Sequence, residues 1–136
     1  MIESGAALND DEVILRTFDS KYRRANGTIR HDAFGIRKNG KDNNGLSVTR
    51  KAERSCGEVG ALLNLESQKK LLCHLTPKGV RKLDFQPIEI GKLDVIASPS
   101  LKDPFHALIV GTPVFSSDRA LQRRVAELLS DLAECC

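Results

Sequence analysis

The stretch ANGTIRHDAFGIRKNGKDNNGLSVTR spans residues 25–50 and contains three Asn-Gly dipeptides, at 26–27, 39–40 and 44–45. Asn-Gly is the pair that best tolerates the positive φ needed at both centres of a two-residue hairpin turn. Its repeated use predicts short antiparallel strands connected by sharp turns. We therefore expect residues 26–50 to form a twisted β-hairpin arrangement.

Charge is concentrated in the same part of the chain. Residues 16–54 carry 11 Lys or Arg against 4 Asp or Glu, whereas residues 1–15 carry four acids and no base. Arginine offers a planar set of donors that matches phosphate and carboxylate. The predicted anion-binding residues are Arg16, Arg30, Arg37, Arg50 and Arg54. The alternative is a solvated positive face that only aids solubility, because the whole chain has a net charge of only +3.

Further short strands and two helices are predicted outside this stretch. β-branched residues and alternating polarity favour strands. The predicted strands are 12–18, 46–49, 80–85, 88–90, 93–97 and 106–111. The last is the most apolar, and we expect it to be buried on both sides.

Leucines at helical spacing predict a short helix within residues 65–75 and a longer one from Ser117 to about Glu134. The longer helix is amphipathic, and its apolar side should pack on the sheet. The residues that step along that side are Leu121, Val125, Leu128 and Leu132, with Ala126, Leu129 and Ala133 beside them. The predicted fold class is α+β, a mostly antiparallel sheet of short strands with a C-terminal amphipathic helix packed on it and a shorter helix near 65–75.

At 136 residues, with 40% of them apolar, the chain has the size and composition of one soluble domain. We expect a flexible acidic tail at 1–11 and a single domain at 12–136. No apolar run approaches the ~20 residues that span a bilayer, and the start lacks the pattern of a signal peptide. These features predict a cytoplasmic protein with reduced cysteines, and we expect a bacterial source.

Common catalytic and metal-binding motifs are missing from the sequence. It contains no GxxxxGK[ST], GxGxxG or HExxH pattern, and Gly45-Leu46-Ser47-Val48-Thr49 lacks the second glycine of GxSxG. Cys56, Cys73 and His74 do not have the paired short spacings of structural zinc ligands. We therefore predict no metal and no cofactor.

Two histidines are the candidate catalytic residues. His31 lies between Arg30 and Asp32, and His106 opens the most apolar strand. Histidine can carry a proton in either direction near neutral pH, and a neighbouring arginine can stabilise a charged intermediate. His31 and His106, with Ser47 near the second, would then suit metal-free cleavage of a phosphodiester. The alternatives are an exposed His31 beside an Arg-Asp pair and a structural His106.

The leading functional hypothesis is a small module that binds an anionic partner through residues 16–54, with nucleic acid ahead of an acidic protein surface. Low aromatic content, 4%, weakens the nucleic-acid hypothesis because single strands usually stack on aromatic rings. A metal-independent phosphodiesterase or nucleotide-processing enzyme that uses His31 and His106 is the first alternative. The second is a subunit of a larger protein assembly. No hypothesis involves a membrane.

Overall fold

The computed structural model describes residues 3–35, 45–83, 93–111 and 119–136. Within them one sheet contains the strands β1 (Ile14–Asp19), β2 (Leu46–Arg50), β3 (Lys70–Leu75), β4 (Asp94–Ala97), β5 (His106–Val110) and β6 (Glu134–Cys135). The described helices are α1 (Cys56–Leu62), α2 (Pro77–Arg81) and α3 (Arg119–Leu132). The strand order is β4-β5-β2-β1-β3-β6, and each neighbouring pair is antiparallel. The predicted α+β class is confirmed.

The larger core lies on the face of the sheet that α3 covers. It joins the inward side chains of the strands to α2, α3 and the 3₁₀ turn His31–Phe34. Four apolar side chains of α3, each at most 2% exposed, enter this core: Leu121, Val125, Ala126 and Leu129. Leu128 and Leu132 are only partly buried at its margin. The helix therefore packs on the sheet as predicted, but its most buried stripe passes through Leu129 instead of Leu128.

A smaller core lies on the opposite face, under α1. Leu15 and Leu72 point there because successive side chains of a strand face opposite sides. They pack with Val59 of α1 and with Leu65. The sheet is thus covered on both faces near β1 and β3.

The short helix predicted near 65–75 is wrong, because Lys70–Leu75 forms β3. This strand is buried on both faces, with Leu72 in the smaller core and Cys73 and Leu75 in the larger one. A strand buried on both sides has no alternating pattern, so short apolar runs of this kind resemble a buried helix.

The strand predicted at 80–85 is also wrong in all four of its described residues. Val80 and Arg81 end α2, Lys82 is the C-cap of this helix, and Leu83 is not in a strand. The Thr76 hydroxyl accepts a hydrogen bond from the Gly79 N–H, and Pro77 occupies the first turn, where it costs no hydrogen bond. The remaining predicted residues of that strand from 84 onward, and the strand at 88–90, lie outside the described residues.

Part of the segment expected to be a flexible tail at 1–11 packs on the sheet. The Gly5 N–H donates to the Ala97 carbonyl, and the Leu8 N–H donates to the Val95 carbonyl. This segment therefore runs along β4, and Leu8 is only 2% exposed. Residues 5–8 belong to the folded domain.

Arg81 of α2 holds that segment in place. Its guanidinium pairs with Asp10 and Asp94, at 2.7 Å each, and donates to the Leu8 carbonyl. Burial opposes the charged form of Arg81, but the hydrogen bonds to Asp94 and Asp10 outweigh it and raise the pKa of this guanidinium. One side chain thus connects three segments of the chain.

The first Asn-Gly pair closes a hairpin, although not through the predicted two-residue turn. The Arg24 N–H donates to the Thr28 carbonyl, and the Gly27 N–H donates to the Arg24 carbonyl. Gly27 has a positive φ of 85°, whereas Asn26 does not, and its side chain accepts from the Thr28 N–H. The result is a three-residue loop with glycine in the left-handed position.

The rest of the predicted hairpin arrangement is only partly described. A 3₁₀ turn, His31–Phe34, follows the first hairpin where a strand was expected. The Asn-Gly pair at 39–40 lies outside the described residues, as does Asn44. Gly45 is described and leads directly into β2.

Candidate anion-binding site

Arg16, on β1, contacts the protein itself. Its Nε donates to the Ala33 carbonyl and its Nη1 to the Ser47 carbonyl, both at 2.8 Å. The guanidinium also lies 5.3 Å from the centre of the Phe34 ring. Arg16 therefore connects β1, β2 and the 3₁₀ turn, which is a structural role.

Arg50 and Arg54 are also used inside the fold. The Arg50 guanidinium pairs with the Glu12 carboxylate. Arg54 donates to the Thr49 hydroxyl and to the Arg50 carbonyl, and its guanidinium lies 4.3 Å from the centre of the Phe105 ring. Both side chains are half-buried. They join the loop after β2 to neighbouring segments.

Arg30 is the predicted arginine that the structure leaves exposed. It pairs with Asp32 at 3.2 Å and lies 5.9 Å from the centre of the Tyr22 ring. Arg37 lies outside the described residues. Of the four predicted arginines in the described part of the chain, three are half-buried and only Arg30 is exposed.

Other exposed cations lie at the same end of the sheet as Arg30. Asp19, the last residue of β1, is the register partner of Lys70, the first residue of β3. The Ser20 N–H donates to the Lys69 carbonyl. This antiparallel pairing brings the start of β3 beside the hairpin that follows β1. We call the six exposed side chains of these two segments the cationic end: Lys21, Arg23, Arg24, Arg30, Lys69 and Lys70.

Carboxylates neutralise part of the cationic end. Three carboxylates flank its two segments: Asp19, Asp32 and Glu66. Asp19 lies 4.0 Å from the Lys21 ammonium, and Asp32 pairs with Arg30. Six cations against three carboxylates leave an excess of positive charge at this surface. The Lys21–Asp19 pair is exposed and weak, so Lys21 can exchange partners, whereas the Asp32 carboxylate is half-buried.

The structure does not bring His31 and His106 together. His31 begins the 3₁₀ turn that packs beside α3, and its Nε2 lies 4.0 Å from the Asp32 carboxylate. His106 precedes the buried Ala107 on β5, so its side chain faces the opposite side of the sheet. The two histidines therefore lie on different faces.

His106 lines a small cavity of about 130 Å³ on that opposite face. Its Nδ1 lies 3.0 Å from the Ser98 carbonyl oxygen. A carbonyl oxygen only accepts, so Nδ1 carries a proton in this contact. The other polar residues that line this cavity are Thr17, Ser47, Thr49 and Asp103.

The cysteines differ from the prediction of four reduced thiols. Cys56 and Cys136 form a disulfide that links residues 80 positions apart, with their Cα atoms separated by 6.2 Å. Cys73 and Cys135 are free and face each other as register partners in β3 and β6. Burial raises the pKa of the Cys73 thiol to about 12.

In the four described ranges, no three His, Cys, Asp or Glu side chains form a group that could hold a metal ion. No helix in those ranges is long and apolar enough to cross a membrane. No protein-family model matches the sequence, and comparisons with curated proteins and with solved structures find no match.

Proposed function

We propose that this protein binds nucleic acid through the cationic end. The observation that supports the proposal is the meeting of two basic segments, Lys21–Arg30 and Lys69-Lys70, that are distant in sequence. All six cationic side chains are exposed, which suits an extended polyanion. Contacts between Lys or Arg and successive phosphates supply most of the affinity of such binding.

Salt dependence of RNA binding tests the proposal. We would measure fluorescence anisotropy of a labelled single-stranded RNA over a series of salt concentrations. The triple variant K21Q/R24Q/K69Q removes three cations of the cationic end. For a single strand, the log-log slope should decrease by roughly 0.7 for each lost phosphate contact, or about 2 for three.

The matched control is K78Q/K82Q, which removes two exposed cations of the α2 region. Its slope should equal that of the wild-type protein. An unchanged slope for the triple variant would contradict the proposal. If the protein bound poly-glutamate but neither RNA nor DNA, the proposed partner would be an acidic protein and not nucleic acid.

A metal-independent phosphodiesterase is the second candidate, and the environment of His106 favours it. His106 lines the cavity of about 130 Å³ together with Ser47 and Thr49, and its Nδ1 contacts the Ser98 carbonyl. His31 lies on the other face, so this candidate depends on His106 alone. His106→Gln should abolish turnover of an RNA or nucleotide substrate without changing RNA affinity. A wild-type protein without turnover would eliminate this candidate.

A subunit of a larger assembly is the remaining alternative. Leu62 and Leu63, at the end of α1, are 72% and 37% exposed, which suits an apolar contact. This alternative would gain support if the protein bound neither RNA nor poly-glutamate and showed no turnover.

A cytoplasmic location and a bacterial source are also parts of this proposal. Structural disulfides are rare in the cytoplasm because glutathione and thioredoxin keep thiols reduced. In a cytoplasmic protein the Cys56–Cys136 disulfide would belong to the transient kind that occurs in that compartment.

A further inference from the structure

A groove of about 900 Å³ lies between α1 and the edge of the sheet formed by β3 and β6. The residues that line it include Cys56 and Cys136, which form the disulfide, and the free Cys135. Its volume is in the range of about 300–1,000 Å³ that is typical of small-molecule sites. The disulfide is thus part of the wall of a cavity large enough for a ligand.

The groove has an apolar surface with a few charged groups. Leu65, Leu71 and Leu72 contribute apolar surface. Among its described lining residues, Arg23 and Lys70 are cations and Glu66 is the carboxylate. The excess of positive charge favours a small ligand that carries carboxylates.

We propose that this groove binds an anionic low-molecular-weight thiol, of the class of small peptide thiols with free carboxylates, and that the thiol exchanges with the Cys56–Cys136 disulfide. Arg23 and Lys70 would contact the carboxylates while the sulfur reaches the disulfide. The proposal does not depend on nucleic-acid binding, although these two cations also belong to the cationic end.

The exchange requires no oxidant. The thiolate of the ligand attacks the Sγ of Cys136, which is exposed, whereas Cys56 is half-buried. A new disulfide forms between the ligand and Cys136, and the bond to Cys56 breaks. Cys56 leaves with the electron pair as a thiolate and takes a proton from water. Attack of the Cys56 thiolate on the mixed disulfide reverses the step and releases the ligand.

The other two cysteines are not expected to take part. Burial keeps the Cys73 thiol protonated at neutral pH, and a thiol is a poor nucleophile. Cys135 is a free thiol, and a reduced ligand thiol forms a disulfide only with a sulfur that is already part of one. The first adduct should therefore form on Cys136.

Reduced glutathione and its diethyl ester provide a matched pair of probes, because the ester has the same sulfur group without free carboxylates. Purified, oxidised protein would be mixed with each, quenched with acid, and analysed by intact mass and peptide mapping. With glutathione, the adduct on Cys136 should form at a rate that saturates with concentration. The ester should react roughly fivefold more slowly, as expected from the loss of two weak ion pairs.

The variant R23Q/K70Q should slow the reaction with glutathione to the rate of the ester, whereas K78Q/K82Q should not change it. Cys135→Ser should keep the adduct, and Cys136→Ser should remove it. Equal rates for the two probes would overturn the proposal, as would an adduct on Cys135 or a purified protein without the Cys56–Cys136 link. The triple variant K21Q/R24Q/K69Q should react as fast as wild type, which separates this test from that of RNA binding.

Discussion

Gly45 lies directly against the backbone of Ile109. A Cβ atom on Gly45 would be 2.6 Å from the Ile109 carbonyl oxygen, a distance that real Cβ atoms essentially never show. The φ of Gly45 is also positive, at 126°. Leu46, the next residue, is the register partner of Ile109. Glycine therefore allows β2 to begin its pairing with β5.

We predict that Gly45→Ala lowers the free energy of unfolding by about 3 kcal/mol or more, because it adds a backbone clash to an unfavourable φ. Gly27→Ala is the matched control. Gly27 also has a positive φ, but nothing lies within 4 Å of a Cβ placed there. That variant should lose only about 1–2 kcal/mol. Urea denaturation with the disulfide intact measures both, and equal losses would contradict the role assigned to the Ile109 contact.

The stability of the α3 interface should depend more on Leu129 than on Leu128. Leu129 is fully buried, whereas Leu128 is half-buried at the margin of the core. Leu129→Ala should cost about 2–5 kcal/mol, as is usual for a buried leucine, and Leu128→Ala clearly less. Thermal and urea melts of the two variants under the same conditions check the order. A larger loss for Leu128→Ala would mean that α3 is rotated relative to the sheet.

The parts of the fold that the sequence predicted well are those with one buried face or strong local signals. β2 and β4 match the predicted strands closely, and α3 follows its helical spacing. The prediction for β3 failed because both faces of this strand are buried, so Leu71 and Leu72 do not alternate with polar residues. The Cys56–Cys136 disulfide could not be predicted either, because spacing alone does not determine which cysteines meet.

The candidate site, too, could be predicted only in part from the sequence. The basic segment was visible in the sequence, but the structural roles of Arg16, Arg50 and Arg54 depend on carbonyls, a carboxylate and rings contributed from other parts of the chain. Lys69 and Lys70 were missed because they join the cationic end only through the pairing of β3 with β1. Because residues 65–75 were predicted to be a helix, the pairing of Lys70 with β1 could not be foreseen.

The free thiols should differ in reactivity. Cys73 is buried and its pKa is raised to about 12, whereas Cys135 is half-buried and lines the groove. Iodoacetamide at pH 8 should therefore modify Cys135 in the native protein and leave Cys73 unmodified. Peptide mapping after the reaction identifies the modified residue. Rapid modification of Cys73 without unfolding would show that the core around β3 is open.

Cys73 should also make stability depend on pH. Its pKa rises from 9.0 to about 12 on folding, so the native state binds the proton more tightly. The stabilisation is complete below pH 9 and is lost as the pH rises towards 12. The free energy of unfolding should therefore fall in this range, and Cys73→Ala should reduce that fall while lowering stability at neutral pH. If the free energy of unfolding of Cys73→Ala depended on pH as that of the wild-type protein does, Cys73 would not be the group responsible.

Substitution of Arg16 should lower stability, whereas substitution of exposed cations should weaken RNA binding. Arg16 donates a partly buried hydrogen bond to the Ala33 carbonyl and an exposed one to the Ser47 carbonyl, and its loss would leave both carbonyls without that donor. Arg16→Met should therefore cost about 1–3 kcal/mol of stability. K21Q/R24Q removes two exposed cations and should leave the melting temperature within about 1–2 °C while weakening RNA binding.

RNA binding by Arg16→Met should be measured below its melting temperature, because the variant is then folded and can be compared with the wild-type protein. Its RNA affinity and salt slope should match those of the wild-type protein, since Arg16 does not belong to the cationic end. A reduced slope in folded Arg16→Met, with no change in K21Q/R24Q, would place the anion contact on the face of the sheet that carries Arg16. The cationic end would then have no part in binding.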